Sequence, residues 1–180
     1  HIGINVGRIA KALMVDIFAG EVKQGGSTIT QQLAKMLFLT PEKTIKRKIR
    51  EAIIAFEIEK NYTKKEILSF YLNQIYLGNG AYGVASAAKV YFGKEVERLD
   101  LAECAMLAAL PKNPGGYNPF RNPDAAKDRR DTVLRRMEEL GWITRDQAKA
   151  AIATPVPKSP PPRPASIAPF FVETVRRELI

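Results

Sequence analysis

A single cysteine and a single histidine stand among the 180 residues. One cysteine cannot close an internal disulfide, and it leaves the redox compartment open. Cys104 lies in an apolar helical stretch and reads as a buried packing residue. The lone His1 is no basis for a metal site. No run approaches the roughly 20 apolar residues that span a bilayer, and no signal-peptide pattern is visible. Strand signals are nearly absent and there are no internal repeats, which points to an all-α fold. Acidic charge is in short supply: 28 Lys and Arg against 19 Asp and Glu give a net charge of +9. That surface suits phosphates or anionic lipid heads, and by charge alone it suits nucleic acid equally. The length is enough for one domain with a real core.

Residues 24 to 32 read Gln-Gly-Gly-Ser-Thr-Ile-Thr-Gln-Gln. Gly25 and Gly26 allow close backbone approach, and Ser27 is a good N-cap for a helix beginning near Thr28. The free N–H groups and dipole at such an end favour anions. Thr28, Gln31, Gln32 and Lys35 recur at spacings of three and four, so they can share a face. An ordinary capped helix with a polar stripe would look the same; the loop is weak by itself.

A second helix runs from an N-cap at Thr40, with Pro41 in its first turn, to about Lys60. Ile45, Ile49, Ile53 and Phe56 make a core stripe at helical spacing, with Ile54 and Ile58 nearly opposite. Lys48 and Glu51 then sit on a shoulder between covered faces. Lys35, Lys43, Lys46, Arg47, Lys48 and Arg50 surround that region against the single acid Glu42. Glu51 is therefore an isolated carboxylate among fixed cations, to be read either as an acid/base or orienting group or as a simple ion pair.

Further helices are punctuated clearly. Asn5 to Gly20 forms one, with Ile9, Leu13 and Ile17 on its inner stripe and Met14 and Phe18 off it, open to core or lipid. Thr63-Lys-Lys-Glu66 is a capping box for a helix through Tyr76, and Thr144-Arg-Asp-Gln147 opens residues 145 to 153. Asp100 caps a helix over 101 to 110 that Pro111 stops. Residues 124 to 140 form a basic helix ended by Gly141, with Leu134 and Met137 inward. Residues 155 to 164 hold six prolines, suited to an extended linker.

Four ordered motifs carry a resemblance. Gly-Gly-Ser-Thr-Ile-Thr-Gln-Gln, then Arg47-Lys48-x-x-Glu51, then Ile67-Leu68-x-x-Tyr71-Leu72-Asn73-x-x-Tyr76-x-Gly78-x-x-x-Tyr82-Gly83, then Leu101-Ala102-Glu103-x-Ala105-x-Leu107-Ala108-x-x-Pro111 resemble the peptidoglycan glycosyltransferase domain. That is glycosyltransferase family 51, found in class A penicillin-binding proteins and monofunctional transglycosylases. The family's first motif ends in His-x-Gly, and His1-Ile2-Gly3 looks like that ending. Its glutamate, taken as the catalytic base, would lie just upstream of His1, so the chain as given is expected to be inactive alone.

The resemblance implies an all-α, lysozyme-like domain with a smaller membrane-facing jaw, over residues 1–154. A proline-rich linker over 155–166 and the start of a segment toward a transpeptidase domain over 167–180 would follow. The implied reaction polymerises lipid II into β-1,4-linked glycan strands and releases undecaprenyl diphosphate. In that reading Glu51 is the second carboxylate and Lys48 its catalytic partner. Ser27, Thr28, Gln31, Gln32, Lys35, Arg47 and Arg50 bind substrate, with Lys35 beside Lys48 on the pyrophosphate and Arg47 and Arg50 as outer-shell or structural partners. Gly25, Gly26, Asn73, Tyr76, Tyr82 and Gly83 shape the cleft. No cofactor is certain; Mg²⁺ or another divalent ion is the candidate at the diphosphate, with no protein metal cluster to mark a site. Expected partners are lipid II, the growing glycan chain and the membrane surface, not nucleic acid. The implied location is the outer face of the bacterial cytoplasmic membrane, through an N-terminal transmembrane helix outside this chain.

Two rivals stay open. A lysozyme-like glycan hydrolase would use a carboxylate on the same scaffold without needing Lys35 and Lys48, because its leaving group is a sugar. A non-enzymatic basic module binding anionic membrane or nucleic acid would explain the charge alone.

Overall fold

The computed structural model describes residues 27–39 and 44–162. The chain divides into two units, His1–Leu68 and Ser69–Ile180. The helix expected over Asn5 to Gly20, Gly25, Gly26, and the caps expected at Thr40 and Pro41 lie outside the described residues.

In the first unit, α1 spans Ile29–Phe38 and α2 spans Ile45–Asn61. Thr28, not Ser27, caps α1. Its hydroxyl accepts from the Gln31 amide while the Gln31 side chain accepts from the Thr28 amide, both at 3.1 Å. Glutamine three residues on decides between two adjacent hydroxyl residues, because only Thr28 can close that reciprocal box. For α2 the cap is Thr44, whose hydroxyl accepts from the Arg47 amide at 3.1 Å, so the helix starts later than Thr40 and Pro41 suggest.

The core of this unit is built from Leu33, Ala34, Ala55, Ile58 and Ile67, with Met36 and Ile54 packed against it. The expected core stripe is the wrong face. Ile45, Ile49, Ile53 and Phe56 are 71, 52, 59 and 47% exposed. Periodicity finds two apolar faces on α2 but cannot say which one is covered. The covered face carries the small residue Ala55, which lets α1 approach closely at Ala34. A polar cross-link joins the same surfaces: the buried Thr30 hydroxyl donates to Glu59 at 2.7 Å. The Lys64 ammonium and that hydroxyl together hold the Glu59 carboxyl below its usual range.

Helix α3 spans Lys64–Gln74 and opens on the Thr63/Glu66 box. It stops at Gln74 rather than Tyr76, because Ile75 and Tyr76 enter a turn. Beyond it the second unit contains α4 (Val84–Phe92), α5 (Leu101–Ala109), α6 (Pro123–Glu139) and α7 (Arg145–Ala153), with 3₁₀ turns at Val96–Arg98 and Leu110–Lys112. Capping boxes at Asp100/Glu103 and Thr144/Gln147 start α5 and α7. Pro111 does not stop α5 outright: it sits inside the 3₁₀ turn, where its missing N–H costs nothing. Ala102, Ala105, Leu134 and Ala151 form the core, covered by Leu101, Val133, Ile143 and Ile152. Leu134 is fully buried as expected and Met137 half-buried. Cys104 is exposed, a correction to its reading as a packing residue, since it points away from the Ala102–Ala105 face of α5.

Arg130 is 1% exposed, and sequence reasoning did not single it out. Its guanidinium bonds Asp131 Oδ1 at 2.8 and 3.0 Å and donates to the carbonyls of Thr154 (2.6 Å) and Ile152 (3.0 Å), closing the end of α7. Burial pushes the Asp131 carboxyl up, but Lys127 and Arg130 outweigh it and hold it below its ordinary value of 3.8. A depressed folded-state pKa contributes stability above the unfolded value and loses it as pH falls through the folded one. Asp131→Asn is therefore expected to flatten the acid limb of a stability-versus-pH curve below about pH 4. An unchanged limb in urea melts would remove Asp131 from that role.

Residues 155–162, which hold five prolines, form no helix or strand, yet they are not free. Val156 is buried and Pro161 lies against Gly93, so this stretch straps across the second unit. A cavity of about 210 Å³ lies beside it, lined by Phe92, Met106, Arg130 and Val156 among others. Among the described residues, no helix is long and apolar enough to cross a membrane.

Candidate functional site

The first unit gathers Ser27, Arg47, Lys48 and Glu51. Glu51 is 2% exposed on the face of α2 that packs toward α1. Burying a carboxylate is costly unless it is paired and hydrogen-bonded, and here both oxygens are engaged. Arg47, one turn earlier, donates to Oε2 at 2.8 Å; Lys48, three residues earlier, donates to Oε1. The spacings of four and three put both cations over the same carboxylate. Arg47 is thus a direct partner of Glu51 rather than an outer one, and its Nε is buried without a protein partner.

Lys48 has a second bond. Its ammonium donates to Ser27 Oγ at 2.8 Å, tying the entry of α1 to α2. It remains 39% exposed while Glu51 is 3% exposed at its side chain, so the pair has a buried negative end and an accessible positive one. A carboxylate that accepts from two cations holds both in place. An accessible ammonium held in one geometry is suited to meet an anionic oxygen.

The remaining expected residues are placed differently. Thr28 and Gln31 turn toward each other in the capping box. Gln32 donates to the Ser27 carbonyl at 3.3 Å and so supports the Ser27–Lys48 contact. Lys35 and Arg50 are exposed, on α1 and α2 respectively. Among the described residues, no group of three or more His, Cys, Asp and Glu side chains comes together.

In the second unit Asn73, Tyr76, Tyr82 and Gly83 share one turn. Tyr76 and Tyr82 form an antiparallel bridge, the one extended pairing among the described residues, and their rings lie 4.9 Å apart. Gly83 has φ +78°, and a Cβ there would stand 2.6 Å from the Asn73 carbonyl oxygen. Gly83→Ala should accordingly cost about 2–3 kcal/mol, strain plus displaced backbone. Gly80→Ala, also at positive φ but with nothing near its Cβ, should cost about 1 kcal/mol. Equal costs in denaturant melts would contradict the close approach. Asn118, part of the Tyr117-Asn118-Pro119 string that follows the fourth motif but given no role by the sequence, is buried and donates to Asn79 Oδ1 at 2.8 Å, bracing this turn from a segment 39 residues away.

The family model described as Transglycosylase matches residues 1–138. The chain is 56% identical over 156 residues to penicillin-binding protein 1A of Aquifex aeolicus, covering 87% of this chain and 22% of that protein. It is 47% identical over 180 residues to penicillin-binding protein 1A of Escherichia coli, covering 99% of this chain and 21% of that one. The crystal structure of penicillin-binding protein 1A from Haemophilus influenzae superposes with a TM-score of 0.51 at 32% identity, over 84% of this chain and 19% of that chain. The chain thus spans about a fifth of the length of the curated relatives it matches. By its ordered motifs, its helical fold and these matches, the chain belongs to the transglycosylase family, as a glycosyltransferase domain of the class A penicillin-binding protein type.

Proposed function

We propose that this domain polymerises lipid II into peptidoglycan. The 4-hydroxyl of an acceptor GlcNAc attacks C1 of the MurNAc at the growing end. The C1–oxygen bond to the lipid diphosphate breaks with inversion, a β-1,4 link forms, and undecaprenyl diphosphate departs. The hydroxyl proton is assigned to the family's first-motif glutamate, not to Glu51, whose two oxygens are already occupied by Arg47 and Lys48.

The observation that carries this reading is the accessible Lys48 ammonium locked between Glu51 and Ser27. Charge builds on the leaving diphosphate in the transition state, and a cation already oriented there stabilises it without reorganising. Lys35 and Arg50 supply further positive charge from exposed positions, and Ser27 and Gln32 line the same entry. Thr28 and Gln31 contribute chiefly by fixing the start of α1. A hydrolase with a sugar leaving group gains nothing from such a cation. With no acidic cluster among the described residues, Mg²⁺ or another divalent ion is proposed to be held at the diphosphate by phosphate oxygens and water.

The exposed stripe Ile45, Ile49, Ile53 and Phe56, flanked by Lys46 and Arg50, supports apposition of the first unit to an anionic membrane surface on the outer side of the cytoplasmic membrane. Relatives about five times longer support a covalently linked transpeptidase domain. Product analysis tests the reaction. Labelled lipid II incubated with the intact protein should yield muramidase-sensitive glycan strands and free undecaprenyl diphosphate. Release of disaccharide without strand growth would support the hydrolase instead.

A further inference from the structure

From Ile67 through Ala88 there is no charged residue, in a chain that is 26% charged. The turn in the middle of that stretch is nonetheless built with care. Gly78, Asn79 and Gly80 have φ of +88, +50 and +74°, and Asn79 is the one non-glycine residue at positive φ among those described. Such a conformation persists when its surroundings hold it. Here the buried Tyr91 hydroxyl donates to the Leu77 carbonyl at 2.8 Å, and a Cβ at Gly78 would stand 2.8 Å from that same hydroxyl. From the other side Asn118, 3% exposed, donates to Asn79 Oδ1 at 2.8 Å while accepting from the Phe120 amide at 3.0 Å.

What this scaffold presents is two aromatic rings in solvent. Tyr76 is 41% and Tyr82 66% exposed, tilted 43° to each other. The same segment carries three exposed carboxamide residues, Asn73, Gln74 and Asn79. Aromatic faces take the C–H face of a pyranose, while carboxamides and phenol hydroxyls can donate to and accept from ring hydroxyls and acetamido groups. The absence of charge disfavours a phosphate at this place. We propose that Tyr76 and Tyr82 form a platform for a neutral sugar ring of the glycan, with Tyr82 the principal contact, and that Asn118 is a positioning residue acting on it through Asn79. This deepens the glycosyltransferase reading and rests on it for the identity of the saccharide.

The probe is a neutral β-1,4-linked N-acetylglucosamine tetramer, titrated by saturation-transfer NMR into the intact protein, alongside lipid II kinetics. Tyr82→Ala should weaken tetramer binding about tenfold and raise KM for lipid II by a similar factor, with kcat within about twofold. Tyr82→Phe should keep most of the binding. Asn79→Gly, which preserves the backbone, and Asn118→Ala should each reproduce part of the loss, and their double variant no more than the larger single loss. Tetramer binding by Tyr82→Ala equal to wild type, or no tetramer binding by wild type, would overturn the platform; additive losses at Asn79 and Asn118 would overturn the relay. Should Asn118→Ala fail to fold, Tyr82→Ala and Asn79→Gly decide, the first being highly exposed and the second conformationally tolerant. Polymerisation that survives Tyr82→Ala with both constants intact defeats the platform alone. Tetramer binding that depends on Tyr82, in a protein that makes no strands, defeats the glycosyltransferase reading alone.

Discussion

Glu51→Gln in the intact, polymerising protein is expected to lower kcat by about 10²–10³. The substitution keeps shape and one acceptor but removes the charge that holds Arg47 and Lys48 over one spot. Lys48 would swing away from Ser27, and the leaving diphosphate would meet a mobile ammonium instead of a fixed one. Folding should suffer less. The carboxylate is 2% exposed, so its removal leaves Arg47 half-buried and under-paired at a cost of about 1–3 kcal/mol. A drop of a few degrees in Tm with a hundredfold loss of turnover is the expected combination. Full turnover in a folded Glu51→Gln protein would reduce Glu51 to an ion-pair partner.

Lys48→Ala is the second large effect. Removing one oriented charge-assisted donor from a developing anion typically costs about 2.7–4 kcal/mol of transition-state stabilisation. Lys48→Ala also leaves Oε1 of the buried Glu51 without its partner, so a stability cost of about 1–3 kcal/mol should accompany the larger loss in the reaction. The loss should fall on kcat more than on KM, because charge on the diphosphate grows as the C1–oxygen bond breaks. Lys48→Arg should recover little: a planar guanidinium cannot reproduce one ammonium shared between Glu51 and Ser27.

These expectations show how legible the chain was. Motif spacing brought Lys48 and Glu51 to one turn of α2 correctly, because i and i+3 on a helix must meet. Capping chemistry located Thr63, Asp100 and Thr144 to the residue, since each closes a reciprocal box. It erred at Ser27, where two hydroxyl residues are adjacent and only the partner three residues on discriminates, and at the start of α2, where Thr44 is the cap.

Other features depended on tertiary context. The two apolar faces of α2 were visible, but which of them meets α1 was decided by Ala34 and Ala55, too small to weigh in a hydrophobic count. Helix α4 begins at Gly83 without a side-chain cap and follows a glycine-rich turn, so it gave no start signal. Asn118 and Arg130 act on partners 39 and 22 to 24 residues away, where local pattern is silent. The exposure of Tyr76 and Tyr82 beside the Gly78–Gly80 turn likewise had no local signal.

Lys48, held by Glu51 and Ser27, is expected to meet the departing diphosphate, and product inhibition reads out that contact. Undecaprenyl diphosphate should inhibit lipid II polymerisation by wild type and by Lys46→Ala, an exposed neighbour on α2, with similar constants. Lys48→Ala should need about tenfold more of it, measured on residual activity or by direct binding. Equal inhibition of Lys48→Ala and wild type would show that the diphosphate leaves by another cation, and would contradict the account.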